Sequence, residues 1–363
     1  MMTMQIFEDV HCLDFSSLYP NIIRQCNLSP EFEYSVNYSD DPDINLVIDM
    51  GELKSEHAIL PDIVTELIEL RKDYRSKGME AEQLACKIAV NSVYGVLSQR
   101  TAKYILGGTH LASTVTWVGR TILKNLVKRL PKKSITVIYG KTDSIFVISD
   151  KYKTKEEILK ITQETANEIV KDLTGFENKF ILFDYEEFIK KMILLNRNNY
   201  AKIYIDGSRK YKGASFSNST SSKYELELME YLVGIIDTDK NYKEDLSEKA
   251  NEFLKEKLMS EDIYYFSIKH KPREEKVNKF DQVDFMLENN INIEYGFSHN
   301  AVICNYDGNK EGVLVYPLNY KLDKKYRPNR RWLKKINKQI IDKLDLPERQ
   351  KQYNLDTWFN VST

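Results

Sequence analysis

Two β-branched runs, Ile135-Thr136-Val137-Ile138 and Ile145-Phe146-Val147-Ile148, bracket the polar stretch Tyr139-Gly140-Lys141-Thr142-Asp143-Ser144. This pattern constrains the chain most, because it predicts a β-hairpin carrying an acid at a polar tip. Upstream, the alternation at Val10, Leu13 and Phe15 predicts a strand ending at Asp14, with Ser16 or Ser17 capping a short helix that carries Ile22 and Ile23. From Pro61 to Arg75, the spacing of Ile63, Val64, Leu67, Ile68 and Leu70 predicts a helix that stops at Lys77-Gly78. A second helix follows from about Glu80 to Leu97, making a helical hairpin. Thr109 is the expected cap of a third helix, whose stripe is Leu111, Val115, Val118, Ile122, Leu126 and Leu130. Beyond the hairpin, a helix is expected from about Thr154 to Leu173. Strands are expected near Phe180 to Phe183, Lys190 to Leu195 and Tyr200 to Ile205, the last turning at Asp206-Gly207. The Ser/Asn/Thr stretch Phe216 to Ser222 reads as a linker and domain boundary, and the charged remainder reads as helix-rich.

Composition narrows the class. With 363 residues, 42% hydrophobic, the chain is long enough for two or three compact units. Lys and Arg number 53 against 54 Asp and Glu, so a basic surface has to be local. The first residues carry no charged-then-apolar signal pattern, and no apolar run approaches the roughly 20 residues a bilayer requires. A soluble, intracellular protein with no membrane partner is the expectation. Cys12, Cys26, Cys86 and Cys304 are far apart with no C-x-x-C pair, which argues for reduced thiols over a zinc knuckle or a disulfide framework. His11, His57, His110, His270 and His299 show no metal-ligand spacing and read as structural.

Three patterns carry chemistry. In Asp14-Phe15-Ser16-Ser17-Leu18-Tyr19-Pro20, a carboxylate at a strand end precedes successive backbone N–H groups turning into a helix. That suits a magnesium ion beside a triphosphate, with the acid on the metal and amides on phosphate oxygens. In Lys87-Ile88-Ala89-Val90-Asn91-Ser92-Val93-Tyr94-Gly95, one helix face presents a cation, an amide, a ring and a gap at i, i+4, i+7 and i+8, a surface able to grip a nucleotide. In the third, Asp143 at the hairpin tip would join Asp14 in holding two magnesium ions for phosphoryl transfer. Each has an ordinary counterpart: a strand-end turn residue, a solvated amphipathic helix, a common β-turn aspartate. Their coincidence in this order outweighs the three separate ordinary readings.

Together they resemble family B DNA polymerases, whose motifs look like D-F-x-S-L-Y-P, K-x-x-x-N-S-x-Y-G and Y-G-D-T-D-S, against DFSSLYP, KIAVNSVYG and YGKTDS here. DFSSLYPNIIRQCNLSP is similar to viral and T-even-phage members. The likeness is strong over residues 9 to 150, weaker to about 215 and general beyond. It implies an α+β right-hand fold: palm from residues 1–60 and 98–222, short helical-hairpin fingers from 61–97, and a helix-rich thumb from 223–363. It implies Asp14 and Asp143 as catalytic metal ligands, with the Phe15 carbonyl as a further one. Ser17, Leu18, Tyr19, Arg71, Lys87, Asn91, Tyr94 and Gly95 become nucleotide contacts, Tyr19 lying under the sugar where a 2′-hydroxyl would clash. Tyr139, Gly140 and Thr142 become DNA contacts at the hairpin. The implied reaction is magnesium-dependent addition of deoxynucleotides to a primer 3′-hydroxyl, with primer-template DNA and deoxynucleoside triphosphates as partners.

The sequence departs from the pattern in three places. Lys141 replaces the first acid of Y-G-D-T-D-S, which leaves open a tolerated variant, a weakened enzyme or an inactive form, and as the alternative function a DNA-binding or scaffolding subunit that keeps the palm fold. Only 16 positions separate Arg71 from Lys87, a short pair of fingers. Asn198 stands where the family has a primer-gripping lysine, so that role falls to Arg197, Lys202 or the run Arg209-Lys210-Tyr211-Lys212, unless these form an ordinary solvated hairpin. A second basic run, from Lys324 to Lys335 with Arg330 and Arg331, suits a phosphate backbone. With little chain ahead of Asp14, the proofreading acids are expected on a separate N-terminal, exonuclease-bearing polypeptide, or to be lost by truncation.

Overall fold

The computed structural model describes residues 4–344 apart from 42–43, 45, 100–108, 197, 218–220, 240–241, 271–298, 307–309 and 317–326. In chain order the first part runs β1 (Gln5–Phe15), α1 (Leu18–Gln25), β2 (Val36–Tyr38), β3 (Leu46–Ile48), α2 (Ile59–Ser76), α3 (Glu80–Ser98), α4 (His110–Arg129), β4 (Thr136–Lys141), β5 (Ser144–Ile148) and α5 (Lys155–Thr174). The second runs β6 (Phe183–Asn196), β7 (Asn199–Ile203), β8 (Arg209–Lys212), α6 (Lys223–Thr238), α7 (Tyr242–Ser260), β9 (Ile268–His270), β10 (His299–Tyr306), β11 (Lys310–Tyr316), β12 (Arg327–Pro328) and α8 (Arg330–Leu344). Two compact units result. Over the described residues, one is formed by residues 9–189, the other by the residues through Glu8 with the chain from Lys190 to Leu344.

In the first unit the strand order is β4-β5-β1-β6. Alternation gives this sheet one apolar face: Leu13, Phe15, Val137, Ile145, Val147 and Phe183 are buried there. The α4 stripe fills the same core through Leu111, Val115, Val118, Ile122, Leu126 and Leu130. Helix α5 adds Ile158, Ala166, Ile169 and Val170, and opens on a capping box in which Thr154 and Glu157 exchange hydrogen bonds. Helices α2 and α3 form the expected hairpin, turning at Lys77-Gly78 with Gly78 at φ 70°, where a side chain would be strained.

In the second unit β6-β7-β8 continue in that order, and a separate sheet pairs β10 with β9, β11 and β12. Its core joins Ile193, Leu195, Ala201 and Ile203 to α6, α7 and α8. Asn337 of α8 ties the helices together: Tyr224 OH donates to its Oδ1 at 2.5 Å, and its Nδ2 donates to the Ala250 carbonyl at 2.9 Å.

Several expectations need correction. The hairpin tip is two residues, Thr142 and Asp143, because the ladder runs on to the pair Lys141–Ser144. Ser17 and Thr109 occupy N-cap positions without side-chain capping bonds, Ser17 at φ 50°. The strand expected near 190–195 starts earlier, at Phe183, as the long strand β6, and Phe180–Leu182 lie outside it. The C-terminal part holds a sheet as well as helices, and Phe216 is buried in its core while Ser222 caps α6, so the linker-like stretch is built into the second unit. All four cysteines are buried and outside any disulfide. Among the described residues no helix is long and apolar enough to cross a membrane.

Candidate active site

The sheet's other face carries the acids. Asp14 lies opposite Ser144, and Ser144 opposite Lys141, so the three form a row across β1, β5 and β4. The Phe15 N–H donates to the Asp143 carbonyl at 2.7 Å, which fixes the tip beside the end of β1. Thr142 is held at φ 46°, a strained conformation for a β-branched residue, and its neighbour Asp143 is exposed. Asp14 and Asp143 are thus brought together.

Two acids that the sequence reading missed complete the group. Asp184 and Glu186, at i and i+2 on β6, join the face of β1 that carries Asp14. Ser16 Oγ donates to Asp184 Oδ2, and Cys12 Sγ donates to Glu186 Oε2 at 3.0 Å. The Asp14 carboxyl is raised to about 6, first by burial and then by the negative charges of Asp143, Glu186 and Asp184. Such crowding of hard oxygen donors is relieved by a divalent cation, and this donor type fits magnesium. The Asp184-Tyr185-Glu186 alternation was the available signal, hidden because 184–189 looked like a connection between two short strands.

On the neighbouring side, Tyr19 of α1 meets Tyr94 of α3, ring centroids 4.6 Å apart. Burial raises the pKa of both phenols. Lys87 and Asn91 are exposed on α3, and Gly95 is half-exposed. Arg71 of α2 points to α3, with its Nε 3.5 Å from Gln83 Oε1, one turn before Lys87. The Leu18 side chain and the Phe15 ring are core groups, Phe15 stacking on Phe183 at 3.9 Å, so these two offer only backbone atoms. Arg24, also missed, joins α1 to α2 by donating to Thr65 Oγ1 at 2.9 Å, and it stacks over Phe180.

The expected DNA contacts separate. Tyr139 is fully buried against Phe146, so its ring is not a DNA-contacting surface; Gly140 is half-exposed and Thr142 exposed. Arg197 lies outside the described residues. In the second unit Lys202 faces Lys210 directly across β7 and β8, with Lys212 on the same face. Arg209 is committed elsewhere, to Asp237 at 3.1 Å, and Tyr211 stacks on Phe216. Exposed Arg330 and Arg331 line a groove of about 1070 Å³ between α7 and α8.

The sequence profile of DNA polymerase family B matches residues 5–271. The chain belongs to family B of the DNA polymerases. It is 31% identical over 234 residues to DNA polymerase 1 of Saccharolobus solfataricus, covering 57% of this chain and 24% of that one. It is 28% identical over 211 residues to the DNA polymerase alpha catalytic subunit of Mus musculus, covering 53% and 14%. It is 28% identical over 230 residues to the DNA polymerase of Paramecium bursaria Chlorella virus NY2A, covering 54% and 24%. The matches thus span at most about a quarter of these relatives. Among solved structures, the family B DNA polymerase of Pyrobaculum calidifontis shares the fold, with TM-score 0.64 at 21% identity, covering 96% of this chain and 46% of that one.

Proposed function

We propose that the chain catalyses template-directed addition of deoxynucleotides to a primer 3′-hydroxyl, with residues 1–60 and 98–222 as palm, 61–97 as fingers and 223–363 as thumb. The observation that carries this reading is the meeting of Asp14 and Asp143 through the Phe15–Asp143 hydrogen bond, with Asp184 and Glu186 raising the Asp14 pKa. Asp14, Asp143 and the Phe15 carbonyl would hold two magnesium ions. Bound there, magnesium supplies positive charge to the attacking and leaving oxygens. Lys87, Asn91 and Arg71 bind the triphosphate and neutralise the departing pyrophosphate, while the first N–H groups of α1, at Leu18 and Tyr19, receive phosphate oxygens. Tyr19 excludes a 2′-hydroxyl, and Tyr94 with Gly95 lines the nascent base pair. Lys202 and Lys210 face each other across β7 and β8, each ammonium over a tyrosine ring, and this cation-and-aromatic face supports a DNA-backbone role.

Lys141 favours a second reading. Its cation stands in the row of Asp14, where it opposes metal binding, so a DNA-binding subunit with little or no activity is the alternative. Magnesium-dependent primer extension by the wild type, Lys141→Asp and Asp143→Ala tests both. The polymerase reading expects extension by the wild type and loss in Asp143→Ala. Salt-sensitive primer-template binding without extension by the wild type, with gain in Lys141→Asp, favours the binding subunit. Extension unaffected by Asp143→Ala would remove the site assignment. Co-purification with an exonuclease-bearing chain would add proofreading in trans to this reading.

A further inference from the structure

The end of β1 is reached from α2 through an unbroken series of hydrogen bonds, all within residues 9–189. Thr65 on α2 accepts at its Oγ1 from Arg24 Nε at 2.9 Å, while its own hydroxyl donates to the Pro61 carbonyl at 2.7 Å. Arg24 Nη1 donates to Asn21 Oδ1 at 3.0 Å, and Asn21 Nδ2 donates to the Ser16 carbonyl at 2.5 Å. Arginine carries only donors, so this pairing turns the Asn21 oxygen toward Arg24 and its NH2 toward Ser16. Asn21 is buried, and its backbone N–H donates to the Ser17 carbonyl at 3.0 Å, so one residue grips two successive carbonyls of the turn. Ser17 stands at φ 50°, a conformation disfavoured outside glycine, which these grips help to hold. Ser16 is where the series reaches the acids. Its N–H donates to the Leu182 carbonyl at 2.9 Å and its Oγ to Asp184 Oδ2, while the preceding Phe15 N–H holds the Asp143 carbonyl at 2.7 Å. A second arm leads to the same place: the Arg24 guanidinium lies 4.0 Å from the ring centroid of Phe180, two residues before Leu182.

We propose that Arg24 is a positioning residue that ties α2, the helix bearing Arg71, to the turn at residues 15–18 and so to the placement of Asp14 and Asp184. The proposal rests on the reading of these acids as the metal site and of Arg71 as a phosphate contact. Arg24 touches neither nucleotide nor metal in that reading, and acts through Asn21 and Ser16. A guanidinium suits this place because its fixed fork reaches acceptors on two different helices while its flat face covers a ring. The consequence is coupling: a shift of α2 disturbs the turn, so a triphosphate held on α2 and magnesium held by the acids favour each other's binding.

The test compares the full wild-type chain with Arg24→Ala, Thr65→Val and Thr65→Ser. The first readout, amide hydrogen exchange without metal or nucleotide, follows the Phe15 and Ser16 N–H groups against those of α4. Losing the charged hydrogen bonds in Arg24→Ala is expected to speed exchange at Phe15 and Ser16 about tenfold, and losing one hydroxyl in Thr65→Val about fivefold, with α4 unchanged. Thr65→Ser keeps the hydroxyl and should match the wild type. The second readout is the magnesium concentration giving half-maximal primer extension, expected to rise in Arg24→Ala and Thr65→Val and not in Thr65→Ser. Unchanged exchange at Phe15 and Ser16, or a rise shared equally by α4, would mean a purely structural role and would overturn the inference. Identical behaviour of Thr65→Val and Thr65→Ser would overturn it too, as would faster exchange with an unchanged magnesium midpoint. Should the wild type extend no primer, the polymerase reading fails on its own, and the exchange readout, which needs neither metal nor primer, still decides whether Arg24 ties α2 to the turn.

Discussion

Two hairpins carry the motif residues, and they are held very differently. The β4–β5 tip with β1 is surrounded by fully buried groups: Leu13, Val137, Ile145 and Val147 expose nothing, and the stripe of α4 packs on them. The α2–α3 hairpin buries only Pro61 and Val64 on one helix and Cys86, Val90 and Leu97 on the other. Ile63, Leu70, Leu84 and Ile88 remain exposed along it. Acids that hold metals must be preorganised to within a fraction of an ångström, and a dense core gives that rigidity. The clamp role proposed for α2–α3 requires motion, and sparse burial gives a hairpin a low opening free energy.

The largest effect should come from the rigid hairpin itself. Asp14→Asn is expected to cut primer extension about a thousandfold, since a lost metal ligand costs several kcal/mol of charge stabilisation. Lys87→Ala on the sparsely buried hairpin should cost about ten- to a hundredfold, mostly in KM; equal losses in kcat for both variants would erase the distinction. In stability, Leu126→Ala beneath the acids is expected to cost about 2–5 kcal/mol in a denaturant melt. Exposed Ile88→Ala should change it by less than about 0.5 kcal/mol.

A pH series sharpens the same contrast. The folded Asp14 carboxyl holds its proton up to about 6, against an ordinary value of 3.8, so its ionisation works against the fold. Its contribution is fully present below pH 3.8 and is lost as pH rises through about 6. The melting temperature of the wild type should therefore fall, relative to Asp14→Asn, between pH 4 and 6.5. Magnesium at neutral pH should recover it, and parallel curves for the two proteins would contradict the crowded-acid account. A modest, local effect belongs to the helical turn: Gly78→Ala, forced to φ 70°, should cost about 1 kcal/mol. It should speed amide exchange in α2 and α3 and leave α4 unchanged.

Much of this was legible beforehand. The α4 stripe, the α2–α3 boundaries and the order of the three motifs follow from periodicities and turn residues that act over a few positions. Asp14, Tyr19, Lys87, Asn91 and Asp143 could be named because each sits in a dense local pattern. Asp184 and Glu186 could not, since an acid on a strand acquires meaning only from the strand beside it. Lys202 and Lys210 look like two ordinary basic positions until the β7–β8 register sets them face to face. Tyr139 misled for a related reason: motif membership implied a surface role, while the β4–β5 pairing sends its ring against Phe146 in the interior.

The sequence by itself determined the main helices of the first unit and which motifs the chain carries, because backbone propensity and side-chain period are local properties. Only tertiary structure decided that four carboxyls share one end of a sheet. Only tertiary structure decided, too, that Asp41 reaches Arg120 of α4 and that Tyr19 meets Tyr94. Charge crowding and burial depend on distances between residues far apart in the chain, and those distances are set by strand register and core packing rather than by any neighbour in sequence.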